Sequence, residues 1–150
     1  MTDDTVTRHI VHLLKERSIS ITDARVRITA IIYTADKWIS LADILHTVNN
    51  EFDRATVYRV LCLLHENGFL YKLVDMGKIS YYMFNKTGNV EQVAQKERPL
   101  EHTWFKCLNC GRISVLPGDD IAVHLPEGFT KTASNLLISG YCNNCASARN

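Results

Sequence analysis

The sequence predicts an α+β chain, with helices through its first half, a β-hairpin after them, and a small strand-rich segment at its end stapled by a metal. Three observations carry this. Apolar residues recur at helical spacing through residues 5–66, and two runs rich in aromatic and branched residues follow, separated by a turn. Two C-x-x-C pairs, Cys107-Leu108-Asn109-Cys110 and Cys142-Asn143-Asn144-Cys145, then lie among further strand-like runs. A chain of 150 residues holds one ordinary domain or two small ones. No stretch is long enough to span a bilayer, and Met1-Thr2-Asp3-Asp4 is too acidic for a secretory signal, so the expected location is the cytoplasm, with no membrane partner. The net charge is +1 with scattered basic residues, so any nucleic-acid contact must come from locally placed cations.

The first helix is expected over Thr5 to Arg17, with Val6, Ile10, Leu13 and Leu14 on one face. Ser18-Ile19-Ser20-Ile21 breaks the pattern, and Thr22-Asp23 reads as the cap of a second helix running to about Asp36, with Val26, Ala30, Ile31 and Thr34 on one side. Ser40 caps a third, short helix holding Leu41, Ile44, Leu45 and Val48, and Asn49-Asn50-Glu51-Phe52 is a turn. Asp53 caps a fourth helix that ends at Glu66-Asn67-Gly68-Phe69, where Gly68 suits a left-handed position and Phe69 the apolar contact after it.

In the fourth helix Val57, Val60, Leu61 and Leu64 form a core stripe. Ala55, Arg59, Cys62 and Glu66 face away, with Thr56 and Tyr58 on the flanks, so its first turns expose Arg54, Ala55, Thr56, Tyr58 and Arg59. A short helix, a tight turn and a second helix with that surface make a helix-turn-helix candidate. Arg bonds phosphate or guanine, and Ala, Thr and Tyr pack on a thymine methyl. The bland alternative is a plain solvated helix. Leu70 to Val74 and Ile79 to Phe84 then read as strands joined by Asp75-Met76-Gly77-Lys78, the wing of a winged helix, with Lys72 and Lys78 available to phosphates.

The four cysteines of the two pairs suit a tetrahedral Zn²⁺, and Gly111 supplies the freedom the first turn needs. Two disulfides or a redox-active pair fit the same spacing. A closed four-thiolate shell leaves no open position for catalysis, so this is a structural zinc, one per chain. His102 to Lys106, Arg112 to Leu116 and Ser134 to Tyr141 read as strands around the two pairs, and Asp119 to Leu125 as a short helix at best. Such a sheet buries little core alone, which makes pairing with a second copy physically reasonable.

These residues resemble the ferric uptake regulator (Fur) family of bacterial metal-responsive repressors. The likeness rests on Ala55-Thr56-Val57-Tyr58-Arg59-Val60-Leu61 with Gly68, on Thr22-Asp23-Ala24-Arg25, on Gly77-Lys78, and on both cysteine pairs with Gly111, in the family's order over nearly the whole chain. The resemblance implies a winged-helix DNA-binding domain over 1–84, a connector over 85–98, and a dimerisation domain with the four-cysteine zinc over 99–150. It implies a homodimer on a palindromic, double-stranded DNA operator. By the same likeness Tyr58 contacts bases, Arg59 contacts phosphate, and Arg25 lies near the DNA, though Arg25 equally suits a salt bridge.

The chain departs from the family where metal is sensed. Family members place histidines and a carboxylate between the domains, and here the matching positions hold Trp38, Tyr82 and Trp104, with only His102 retained. A further family site would need ligands where this chain has Ala122 and Ser134. Indole offers no lone pair to a metal. One reading rebuilds a regulatory zinc or iron site from Glu101, His102 and His124, with Glu91 and Glu97 nearby in the connector; for each of these a solvated polar residue is the plain alternative. The other fills the gap with Trp38, Tyr82 and Trp104 and answers to a different signal. Cys62 is a redox reporter or a small filler.

The expected function is therefore a non-enzymatic, DNA-binding transcriptional repressor of the Fur type that controls zinc or iron homeostasis. The alternatives are a Fur-like regulator that has lost the usual sensing site, a zinc-ribbon thiol redox protein, and an interaction module that kept the fold and lost DNA binding.

Overall fold

The computed structural model of the chain describes residues 4–86, 102–116, 124–130 and 135–147. The chain divides into two compact units, Met1–Val90 and Glu91–Asn150. In the first, α1 (Asp4–Glu16), α2 (Asp23–Ala35), β1 (Ile39–Ser40), α3 (Leu41–Thr47), α4 (Arg54–Glu66), β2 (Leu70–Val74) and β3 (Ser80–Phe84) follow one another. Short polar side chains begin three of the helices. Thr22 Oγ1 accepts Arg25 N–H at 3.3 Å, and Asp53 Oδ1 accepts Thr56 N–H at 2.6 Å. Ser40 and Asp43 form a reciprocal capping box, each side chain accepting the other's backbone N–H. The Asp43 carboxyl sits below its usual range because it accepts from the Ser40 hydroxyl and backbone.

The chain leaves α4 as its sequence requires. Gly68 adopts φ +75°, and Phe69 N–H returns to Leu64 O at 2.9 Å while its ring is buried. The turn before α4 carries two successive left-handed residues, Asn49 and Asn50, a conformation asparagine tolerates better than most. Arg27 grips Glu51 through both guanidinium nitrogens and lies 5.5 Å from the Phe52 ring, fixing that turn to α2. Val57, Val60, Leu61 and Leu64 are all buried, in a core shared with Ile10, Leu14, Ile44, Leu70 and Tyr82.

Helix α2 differs from the single stripe expected of it. Val26 and Ala30 are buried, but so are Ile28, Thr29 and Ile32, while Ile31 is half-buried and Thr34 exposed. It packs against α1, α3, α4 and β3, and a helix enclosed on several sides has no one apolar face to read. Thr29 is accommodated there because its hydroxyl donates to Arg25 O at 2.6 Å. The second strand of the hairpin begins one residue later than expected, Ile79 being exposed outside β3. β1 joins it to make an antiparallel sheet in the order β1-β3-β2, with Ile39 opposite Tyr82 and Lys72 opposite Tyr82 on the other side.

The second unit holds β4 (His102–Cys107), β5 (Ile113–Leu116), β6 (Asn135–Gly140) and a short helix, α5 (Asn143–Ser147). The sheet order is β5-β4-β6, antiparallel between β4 and β5 and parallel between β4 and β6. β6 is shorter than expected by Tyr141, and Ser134 lies outside the described residues. Most of the expected short helix at Asp119 to Leu125 also lies outside them; His124 and Leu125 are not helical. Among the described residues, no helix is long and apolar enough to cross a membrane.

Candidate nucleic-acid interface and metal centre

The register of β4 against β6 assembles the metal centre. Cys107 pairs with Gly140, so the turn after β4 and the start of α5 meet at one end of the sheet. Leu108 N–H donates to Gly140 O at 2.7 Å, and Gly111 N–H to Cys107 O at 3.0 Å, closing the first knuckle with Gly111 at φ +71°. A Cβ at Gly140 would lie 3.2 Å from the Phe105 ring, a tight contact that the ring would have to yield to by a few tenths of an ångström. The second knuckle opens α5, with Cys145 N–H and Ala146 N–H donating to Cys142 O at 3.0 and 2.8 Å.

The four sulfurs of Cys107, Cys110, Cys142 and Cys145 lie within 4.8 Å of one another, with Cys110 and Cys142 at 4.0 Å. A tetrahedral zinc with sulfurs at about 2.3 Å needs them about 3.8 Å apart, so this donor set fits zinc. All four are free thiols, so the two-disulfide alternative does not hold here. Backbone N–H groups of Cys110 and Cys142 aimed at Cys107 hold its thiol down to about 6, against the effect of burial, with Cys142 N–H at 3.4 Å. The Asn109 amide, 3.3 Å from Cys145 Sγ, favours the Cys145 thiolate, but the Cys142 thiol, burial and the other two cysteines push it up to about 11. Backbone donors thus favour the Cys107 thiolate, while neighbouring thiols and burial oppose the Cys145 thiolate, an opposition a bound cation relieves. Asn109 was not legible as a site residue, because its place in the C-x-x-C interval imposes no residue type.

Of the candidate regulatory residues, only His102 and His124 lie among the described residues. Among the described residues the four cysteines are the one convergent group of metal-capable side chains. Glu101, Glu91 and Glu97 lie outside the described residues, His102 opens β4, and His124 is exposed. Tyr82 is 1% exposed inside the core of the first unit, and burial pushes its phenol up, away from the ionised form a metal would take. Trp104 is buried in the second unit. Trp38 is half-buried and lines a cavity of 410 Å³ with Ile39 and Asp43, whose carboxylate is already engaged in the Ser40 cap.

On the opposite side of α4 from its core stripe, Arg54, Ala55, Tyr58 and Arg59 are exposed and Thr56 half-buried. Tyr58 is 49% exposed. The Cys62 thiol beside it raises its phenol above the usual range, and Cys62 itself is half-buried. Lys72 lies 5.9 Å from the Tyr82 ring centroid, and Lys78 is exposed at the hairpin turn. Arg25 donates to Ser20 O at 2.8 Å and to the Ser20 hydroxyl, which fixes it beside the start of α2.

The Ferric uptake regulator family model matches residues 16–137. Solved structures share the fold. One described as a zinc uptake regulator complexed with zinc and DNA aligns with TM-score 0.64 at 19% identity, covering 99% of this chain and 98% of its own. The holo form of XcZur aligns with TM-score 0.64 at 23% identity, over 97% of this chain and 99% of its own. The Helicobacter pylori ferric uptake regulator, described as having three functional metal-binding sites, aligns with TM-score 0.60 at 17% identity over 95% and 93%. No curated protein sequence matches the chain.

Proposed function

The chain belongs to the ferric uptake regulator family, and on that premise we propose that it is a dimeric, zinc-containing transcriptional repressor that controls zinc or iron homeostasis. The observation that carries the DNA-binding part is the division of α4. Its core stripe is buried, while Arg54, Ala55, Tyr58 and Arg59 stand exposed, with Thr56 beside them. Such a helix docks in the major groove with arginines on phosphate or guanine and the smaller residues against base edges. Lys72 and Lys78 meet the backbone and set the register, with Arg25 near the same surface. Two copies, paired through the C-terminal units, address the two halves of a palindrome, and an occupied operator blocks polymerase.

The zinc held by Cys107, Cys110, Cys142 and Cys145 supplies structure and not chemistry, because its shell is closed. That distinguishes this reading from a thiol redox enzyme. The division into domains at 1–84, 85–98 and 99–150 belongs to the same proposal, as does a regulatory metal bound around Glu101, His102 and His124.

A second reading of the signal is favoured by one observation. Tyr82 is sunk in the first unit's core and Trp38 and Trp104 are indoles, so the three positions that would carry sensing ligands by family likeness offer none. On this reading aromatic burial sets the DNA-competent state and the effector is not a metal at that site.

Binding of duplexes selected from a random-sequence pool tests the function. Replacing Tyr58 and Arg59 by Ala should abolish binding by the zinc-loaded protein, and unchanged affinity would leave an interaction module in its place. Metal content per chain separates the two signals. One tightly held zinc supports the aromatic reading, and a second exchangeable equivalent supports the rebuilt site.

A further inference from the structure

The hairpin turn holds an apolar side chain out into solvent. Met76 is 91% exposed, with Val74 and Ile79 also exposed beside it. The turn presenting it is tightly held. Lys78 N–H donates to Asp75 O at 2.9 Å and Asp75 N–H to Ile79 O at 3.0 Å. The Asp75 carboxylate accepts Ile79 N–H at 2.9 Å and the Tyr81 hydroxyl at 3.3 Å. Lys78 takes φ +62°, a left-handed conformation usually left to glycine in such hairpins, although Gly77 stands beside it. The fold thus holds an apolar side chain and a cation side by side at the tip, and turns the one acidic group of the turn back into its own hydrogen bonds.

The chain path locates this tip. Near the C-terminal end of α4, the His65 ring lies 3.0 Å from Leu70 O at the start of β2. Lys72 pairs with Tyr82, which is buried in the same core cluster as Val57 and Val60, nearer the helix N-terminus. β2 therefore runs back along α4. Five strand residues at about 3.3 Å each and thirteen helical residues at about 1.5 Å each cover similar lengths. The tip accordingly emerges toward the end of α4 where Arg54, Tyr58 and Arg59 are exposed.

We propose that Met76 is a DNA-contacting residue, packing its thioether side chain on sugar and base edges beside the segment that α4 reads, while Lys78 holds an adjacent phosphate. This deepens the DNA-binding reading and rests on it. A polyanion is the occupant that the local charge selects, because the cations Lys78, Arg54 and Arg59 share the region while the turn's carboxylate is internally engaged. Flexible, unbranched methionine suits an irregular groove wall, and an apolar contact releases no counterions.

Salt dependence separates the two side chains. With zinc-loaded protein and a duplex selected from a random pool by the unaltered chain, affinity is measured from about 50 to 300 mM salt. Met76→Ala and Met76→Gln should each lose about tenfold in affinity with the salt slope unchanged, and Met76→Leu should retain binding. Lys78→Ala should lower the slope by about 0.9. A ¹³C-methyl resonance from Met76 should move on saturation with the duplex, a readout that needs no substitution. Binding by Met76→Ala equal to the unaltered chain, or an unmoved methyl resonance, overturns the contact while loss in Tyr58→Ala keeps the DNA-binding reading. Equal losses in Met76→Leu and Met76→Ala overturn apolar packing. If the unaltered chain selects no duplex, the DNA-binding reading fails and the Met76 contact with it.

Discussion

The two units of this chain are held together by different means. The first buries a continuous core, from Ile10 and Leu14 in α1 through Ile28 and Ile32 in α2 to Leu61, Leu64 and Tyr82. In the second, Trp104 and Cys107 are the only buried residues among those described. One unit has enough apolar burial to offset chain entropy, while the other is small and carries a four-cysteine clamp at one end of its sheet. The contrast matches the division of labour proposed above. DNA reading needs a rigid helix on a packed base, whereas a metal-stapled sheet is completed by what it binds.

The comparison breaks most visibly at the clamp. Cys142→Ser, or removal of zinc by a chelator, should unfold the second unit and leave the first intact. Amide resonances of β4, β5, β6 and α5 would collapse to disordered positions while those of α1 to β3 persist. Unchanged dispersion in the second unit would mean that its sheet stands without the metal. The converse change is Leu61→Ala, which empties a fully buried site in the first unit and should cost about 2–5 kcal/mol in denaturant unfolding. Zinc stoichiometry should stay at one per chain, and a loss of zinc in this variant would show that the units fold as one.

Smaller effects sharpen the account of the first unit. Ser40→Ala removes the hydroxyl half of the capping box and should cost about 1 kcal/mol by thermal or denaturant unfolding. The same box sets a pH dependence. Because the folded Asp43 carboxyl lies below its unfolded value, its stabilisation is complete above the unfolded value, near about 3.9, and is lost as pH falls through the lowered one. Asp43→Asn should therefore flatten the acid limb of the melting temperature against pH, and an unaltered limb would remove the box from the explanation. Arg27→Ala should matter least, since the Glu51 pair is exposed. A large drop in melting temperature would show that this pair holds the turn before α4 more firmly than its exposure indicates.

Much of the first unit was legible because its signals are local. Thr22, Ser40 and Asp53 are capping residues whose partners lie three positions away, and Gly68 takes the conformation that suits glycine. The α4 stripe was readable because that helix buries one face only. The α2 pattern misled because Ile28, Thr29 and Ile32 are buried by neighbours from several directions. β1 gave no signal either, being two residues long and existing only through its pairing with Tyr81 and Tyr82.

For the candidate sites the same line divides what could be read. The cysteine spacing named the ligand set, but nothing local to either pair says that Cys107 lies opposite Gly140 in a parallel ladder. Likewise, Tyr82 stands in a strand by its composition, while its burial among the helices depends on every element packed around it. The sequence by itself determined the limits of α4, the caps, the hairpin and the four thiols, since each follows from side-chain chemistry within a few residues. Only the tertiary structure decided which faces of α2 are buried, how β4 and β6 pair, and where Met76 emerges. Those depend on contacts between residues far apart in the chain, and neither hydrophobic periodicity nor capping chemistry encodes them.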